Sequence, residues 1–380
     1  MAYKYGYLGA LISRGRLRND WSMEGLCKGI CSVSYLSKIE NGKAEPSRQI
    51  LQLLLARLDL ATDDAQDHIA SQKAQRAWEL LLGGRPDAFA ALTREDALKQ
   101  TYRATEAGMD WLLFCCLFEE RPADEQMERF MDARQLALQR VLQGRVEEAL
   151  ALCPNAYFNW QAGLFYYNQG NEASSLQYLQ TAYDMAAQQG EVHLMLLCKT
   201  YIGNIYCNKR DIAAMRGHYS VAFKLAEAVG NTEIVAQLRY NEAAAQIECG
   251  EYETACSYLK SIKNPGVMEL HKLAICLEKL GEREAALDVL SRADATPCEF
   301  PPKPLAQMMC QIVRLRLLHG DYLQQQEYGA LLMRCFSQLR SELPVGYAAF
   351  HLPWVLEYLK ATRQYKLALE ISQSFSNITA

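Results

Sequence analysis

A chain of 380 residues is longer than one domain usually spans and predicts two or three, with length enough to bury a large core. Half of the residues are hydrophobic and 22% are charged, which excludes a disordered chain, and the absence of any run of 18 apolar residues argues against a membrane-spanning helix. The net charge of −4 is unevenly placed. Residues 1–60 hold nine Lys and Arg against five acids, a net of +4, leaving 31 basic and 39 acidic residues, a net of −8, for the remainder. Phosphate is therefore better attracted to the N-terminal end. The opening Met-Ala-Tyr-Lys-Tyr-Gly-Tyr has neither a charged leader nor an apolar signal core, so a cytoplasmic location is expected.

Taken in chain order, the first elements are short helices. Arg14 and Arg16 sit in one that begins the chain, and Trp21-Ser-Met-Glu-Gly-Leu26 opens a second. Ser32-Val-Ser-Tyr-Leu-Ser-Lys-Ile-Glu-Asn-Gly42 reads as a third. Ser32 is an N-cap residue and Asn41-Gly42 a stop, because Asn and Gly tolerate the left-handed conformation that closes a helix. Leu36 and Ile39 share one face and point to a core, whereas Ser34, Tyr35 and Lys38 share the opposite face. Gly42-Lys-Ala-Glu-Pro-Ser47 then opens an apolar helix through Ile50, Leu51, Leu54, Leu55 and Leu58.

This order of motifs, over roughly residues 5–60, resembles the Xre-type helix-turn-helix of phage repressors and bacterial regulators. The resemblance implies that the third helix lies in the major groove with its first residues on base edges. Ser32, Val33, Ser34 and Tyr35 become base-edge candidates, Lys38 a base or phosphate contact, and Lys28, Lys43, Arg48 and the amide of Ser22 phosphate contacts. Arg16 and Glu40 match the positions of a structural ion pair between the first and third helices. Two departures stand out: Met23 replaces the usual Gln after the Ser that starts the second helix, and the turn around Gly29-Ile-Cys31 is one residue short.

Beyond residue 60, Leu, Ala, Glu and Gln recur at helical spacing and nothing alternates as a strand does, so the rest is expected to be all helical. Residues 61–67 read as a polar joint and Gly83-Gly84-Arg-Pro86 as a turn. The expected division is 1–60 for DNA binding, 61–120 for connecting helices and 121–380 for a repeat domain.

The repeat shows as a small residue in a first helix followed seven residues later by a turn: Gly163 with Gly170, Gly203 with Arg210, Ala243 with Gly250, and Ala274 with Gly281. Ser175, Met215, Ala255 and Ala286 follow each turn by five residues, and Ala182, Ala222, Ile262 and Ala293 come seven further on. Weaker units flank these, around Gly144, Gly320 and Arg363. The pattern resembles the tetratricopeptide repeat, although the family's Trp is missing and the spacing is near forty rather than about thirty-four. The resemblance implies a right-handed α-solenoid with a concave inner wall. Positions that face inward in such repeats fall on Tyr157, Trp160, Tyr167 and Asn168; on Thr200, Asn204 and Asn208; on Gln237 and Tyr240; on His271; and on Gln307 and Arg314. Asn side chains both donate and accept, which suits an extended peptide backbone, and Arg314 suits a carboxylate.

An Xre-type head before tetratricopeptide-like repeats is similar to the Rgg and PlcR group of regulators. That resemblance implies a cytoplasmic homodimer that binds a double-stranded operator with its heads and a short signalling peptide with its repeats. The alternative is a repeat-based scaffold tethered to DNA by its head. No enzyme is expected: the six histidines are scattered, and HExxH, GxSxG, Walker and GxGxxG patterns are absent. The thirteen cysteines show no CxxC spacing, so neither a metal nor another cofactor is expected, and most read as small buried hydrophobes.

Overall fold

The computed structural model describes residues 6–60, 63–298 and 300–379, so Ala61 and Thr62 of the expected joint, and the opening residues 1–5, lie outside it. Every regular element among the described residues is helical. The all-α class with an N-terminal helix-turn-helix and a tetratricopeptide-like helical body is therefore what the chain forms. Its contacts divide it into two units: the described residues of Met1–Phe165 with Thr181–Met195, and of Tyr166–Gln180 with Leu196–Ala380.

The first unit starts with α1 (Gly6–Arg18), α2 (Met23–Cys27), α3 (Val33–Glu40) and α4 (Arg48–Arg57). Ser22, Ser32 and Ser47 begin α2, α3 and α4, each hydroxyl accepting from the amide three residues on. These caps make very short helices viable by satisfying amides that have no intrahelical partner. Ile12, Leu26, Leu36, Ile39 and Leu54 form the small core beneath them, each at most 1% exposed. Gly9 lets α1 and α3 touch, since a methyl group there would clash with the carbonyl oxygen of Ile39.

The unit continues through α5 (Asp64–Leu82), α6 (Pro86–Ala97), α7 (Gln100–Arg103) and α8 (Gly108–Phe118). Trp78, Phe89, Trp111 and Phe114 meet edge to face at their centre, with centroids 5.2–5.6 Å apart. The Trp78 indole donates to Asp110 Oδ1 at 2.8 Å, so the polar end of a buried aromatic is satisfied. A 3-10 helix, Glu125–Phe130, packs on α1, and α9 (Ala133–Leu142), α10 (Val146–Leu152) and most of α11 (Ala156–Asn168) follow.

The second unit is built from α13 (Val192–Asn208) beyond Met195 and from α14 (Ile212–Val229), α15 (Thr232–Glu248), α16 (Tyr252–Ser261), α17 (Val267–Lys279), α18 (Arg283–Ala295), α19 (Lys303–Leu318), α20 (Gln326–Glu342), α21 (Val345–Ala361) and α22 (Tyr365–Thr379). It also takes a stretch of α12 (Glu172–Gln189). From α14 onward each helix packs chiefly on its neighbours in sequence, as stacked repeats do. The turn residues of the four main repeats take the left-handed conformation, with φ of +74° at Gly170, +58° at Arg210, +81° at Gly250 and +79° at Gly281. Met215, Ala255, Ala286, Ala222 and Ala293 are buried as the repeat register requires, whereas Ile262 is half-buried. At Gly203 the Tyr219 ring occupies the space a methyl group would fill.

Candidate DNA-recognition surface and ligand cavity

On α3, burial of Leu36 and Ile39 turns the other face outward: Ser32, Val33, Ser34 and Lys38 are exposed. Tyr35 is half-buried and its hydroxyl donates to the Glu45 carbonyl at 3.2 Å. Lys28 and Lys43 are exposed on either side, and Ser22 stands at the start of α2. Arg48, which the motif offers to phosphate, is held here by Asp64 at 3.0 Å and Asp67 at 3.2 Å. A row of short hydroxyl side chains between lysines offers donors and acceptors to base edges and cations to the backbone.

Besides the buried Leu36 and Ile39, an ion pair and one ring fix α3 and the turn that follows it. Arg16 Nε and Nη2 donate to Glu40 Oε1 and Oε2 at 2.7 and 2.9 Å in a buried, two-pronged pair, and this contact raises the guanidinium pKa further. Arg57 reaches back to the carbonyls of Leu26 and Lys28 at 2.9 and 2.6 Å, closing the end of α2. The motif left Arg57 unassigned; its place in the last turn of an apolar helix was the available signal. Gly42 ends α3 with φ of +64°, and a methyl group on it would stand 2.7 Å from the Phe130 ring. Arg14 pairs with Asp124 at 2.6 Å.

The second unit contains a cavity of about 390 Å3. Six of the residues read as inward-facing line it: Tyr167, Asn168, Asn204, Asn208, Gln237 and Tyr240. Asn204 is already engaged, its Oδ1 accepting from Tyr219 at 2.7 Å and from Asn241 at 3.1 Å, and the Asn208 side chain faces the Tyr167 phenol. Burial pushes the Tyr167 and Tyr240 phenols well above their ordinary range, so both are neutral donors.

The remaining inward-facing readings lie elsewhere. Trp160 belongs to the first unit, where its indole nitrogen is buried without a hydrogen-bond partner among the described residues. Thr200 is buried, and Arg314 is engaged by Asp294 at 2.6 Å and Gln311 at 2.8 Å. His271 is fully buried, its ring stacked on His351 with centroids 5.8 Å apart. It is the next residue, Lys272, that lines the cavity, together with Tyr201, Asn241, Tyr347 and Phe350, none of which the repeat register picked out.

Among the described residues no group of three or more His, Cys, Asp or Glu is placed to hold a metal ion, and no helix is long and apolar enough to cross a membrane.

The fold and the exposed α3 face define a DNA-binding helix-turn-helix regulator with a helical-repeat body, and residues 12–64 match the family described as Helix-turn-helix. In particular, the chain is similar to the transcriptional activator NprA of Geobacillus stearothermophilus, with 23% identity over 277 residues, 62% of this chain and 67% of that one. Its fold is that of a Rap protein solved in complex with competence and sporulation factor: the TM-score is 0.58 at 15% identity, over 82% of this chain and 98% of the other. Bacillus thuringiensis PlcR, solved with the peptide PapR7 and DNA, aligns over 84% of this chain and 99% of its own at 17% identity, with a TM-score of 0.31, too low to carry weight. The helix-turn-helix read from Ser32–Gly42 is matched by that family model, and the helical-repeat body by the fold of the Rap protein.

Proposed function

We propose that this chain is a cytoplasmic, homodimeric transcription regulator that binds a short signalling peptide in the cavity of its second unit. Residues 1–60 are the DNA-binding domain, 61–120 connect, and 121–380 form the repeat domain. The observation that carries the peptide reading is the cavity wall itself: Asn168, Asn204, Asn208 and Gln237 stand among Tyr167 and Tyr240. Amide side chains there suit a peptide backbone of any sequence, and the rings suit apolar side chains. NprA is a transcriptional activator, and the Rap protein was solved in complex with competence and sporulation factor.

In this reading Ser32, Val33, Ser34 and Tyr35 meet base edges and Lys38 a base or phosphate. Lys28, Lys43, Arg48 and the Ser22 amide meet phosphates. The peptide acts by binding two conformations of the protein unequally, and such coupling is typically about 1–3 kcal/mol.

The test is capture of peptides by the purified full-length protein from the short-peptide pool of its own host, identified by mass spectrometry and checked by thermal unfolding. A discrete peptide that raises the melting temperature and changes operator affinity supports the reading. Recovery of folded proteins alone moves the function to the scaffold alternative.

A further inference from the structure

The cavity has one feature that recognition of a neutral peptide backbone does not require: two cations and one carboxylate in its wall. Arg210, Glu248 and Lys272 all line it. Arg210 Nε faces Glu248 Oε2 at 3.9 Å, so the single carboxylate has a cationic partner. Lys272 is only 4% exposed and forms no ion pair among the described residues. Its ammonium lies over the face of Phe350, 2.7 Å from the ring centroid, and that ring also lines the cavity.

An aromatic face attracts a cation but does not neutralise it. Charged side chains are almost never fully buried unless paired, because removing an ion from water costs several kcal/mol, and an opposite charge is the usual compensation. Glu248 is the one carboxylate lining the cavity and acts on both Arg210 and Lys272, so the cations of the wall outnumber its anions by one. We infer that Lys272 is the anchor for a carboxylate of the bound ligand, either the C-terminal carboxylate of a peptide or an Asp or Glu side chain near its end.

This inference rests on the peptide reading and specifies the chemistry of the ligand. Burial draws the Lys272 ammonium down to about 7, with Glu248 acting in the opposite direction, so the side chain is readily charged by an arriving carboxylate. Glu248 opposes a second anion, which makes it the selectivity element: its charge weakens ligands whose carboxylate is not seated on Lys272.

The experiment uses the full-length protein and three N-acetylated synthetic pentapeptide libraries. One has free C-terminal carboxylates and no Asp or Glu; one is amidated and contains Asp and Glu; one is amidated and free of both. Retention on the protein is counted by mass spectrometry. Retention of at least one of the two carboxylate libraries at tenfold or more above the uncharged library is expected, and the one retained identifies the source of the anion.

Lys272→Met should abolish that preference while raising the melting temperature, because it removes an unpaired buried charge without changing length much. Glu248→Gln should enlarge the preference, and tests the site from the opposite direction should Lys272→Met fail to fold. Equal retention of all three libraries by the native protein would overturn the anion site and leave peptide binding intact, as would an unchanged preference in Lys272→Met. Retention of no library would remove both.

Discussion

Arg16 and Glu40 meet through two hydrogen bonds at 2.7 and 2.9 Å, with side chains 10% and 3% exposed, and so tie α1 to the end of α3. Twenty-four residues separate them in the chain. Removing one partner leaves the other charged and buried. Glu40→Gln or Arg16→Ala should therefore destabilise the helix-turn-helix by about 3–5 kcal/mol. Hydrogen exchange measured peptide by peptide should speed up through α1, α3 and the turns between them, with α14–α21 unchanged.

The contact between α1 and α3 at Gly9 has no room for a side chain, because the clash would be with the backbone of Ile39 rather than with a side chain that can turn aside. Gly9→Ala should displace the recognition helix and reduce operator affinity by a factor of ten or more. Gly217 lies within α14, and a methyl group there meets nothing within 4 Å. Gly217→Ala should stabilise the protein by about 0.5–1 kcal/mol through helix propensity and the unfolded state. Paired melting curves and operator titrations check both.

Base and phosphate contacts separate by their response to salt. Lys43→Ala should weaken binding to every duplex by a similar factor and lower the slope of log affinity against log salt by about one. Ser34→Ala should change the ranking of operator variants and leave the slope alone. Tyr35→Ala tests the placement of α3 in the groove: an unaltered ranking would count against it, provided the lost bond to the Glu45 carbonyl does not unfold the loop.

The stacked pair His271 and His351 makes the second unit sensitive to acid. Burial, first, and then the charge of Lys272 draw the His351 imidazole down to about 3, with Arg316 adding to the effect and the Tyr347 carbonyl, 2.8 Å from Nδ1, opposing it. Burial, Lys272 and His351 lower His271 well below the usual range. Both rings are therefore neutral in the folded state at pH values where the unfolded chain already binds protons. Stability is retained above the ordinary histidine pKa of about 6.5 and falls as pH drops from there toward 3, by an amount on the order of a few kcal/mol. Urea midpoints measured between pH 7 and pH 4 should fall steeply in the native protein. His351→Gln should flatten that dependence while lowering the midpoint at pH 7, since it disturbs the stack.

The helix-turn-helix was legible because its signals are local. Each cap acts within three residues and each stop within one turn, as Ser22, Ser32, Ser47 and Gly42 show, so a stretch of eleven residues carries α3 with its cap and stop. Repeat spacing was legible for the same reason, and the left-handed turns at Gly170, Arg210, Gly250 and Gly281 fall where small residues and turns were counted.

The cavity was legible only in part. Inward-facing positions on α13 and α15 follow from the resemblance to the tetratricopeptide repeat, and so Asn204, Asn208, Gln237 and Tyr240 were within reach. On α17 the same rule pointed to His271, but successive residues of a helix lie about 100° apart, and the packing of α21 through His351 turned His271 to the interior and Lys272 to the wall. Tyr347 and Phe350 enter from a helix more than seventy residues further along the chain, which no periodicity within α17 can announce.

By itself, then, the amino-acid order determined the class of fold and the capped helix α3, because caps, turns and helical faces are set by near neighbours; the pairing of Arg16 with Glu40 was legible only through the family resemblance. Only the tertiary structure decided that Arg48 is engaged by Asp64 and Asp67, that Phe130 backs Gly42, and that Lys272 is a buried cation on the face of Phe350. Those depend on which side chains distant helices bring together, and on the low dielectric that makes an unpaired charge costly there.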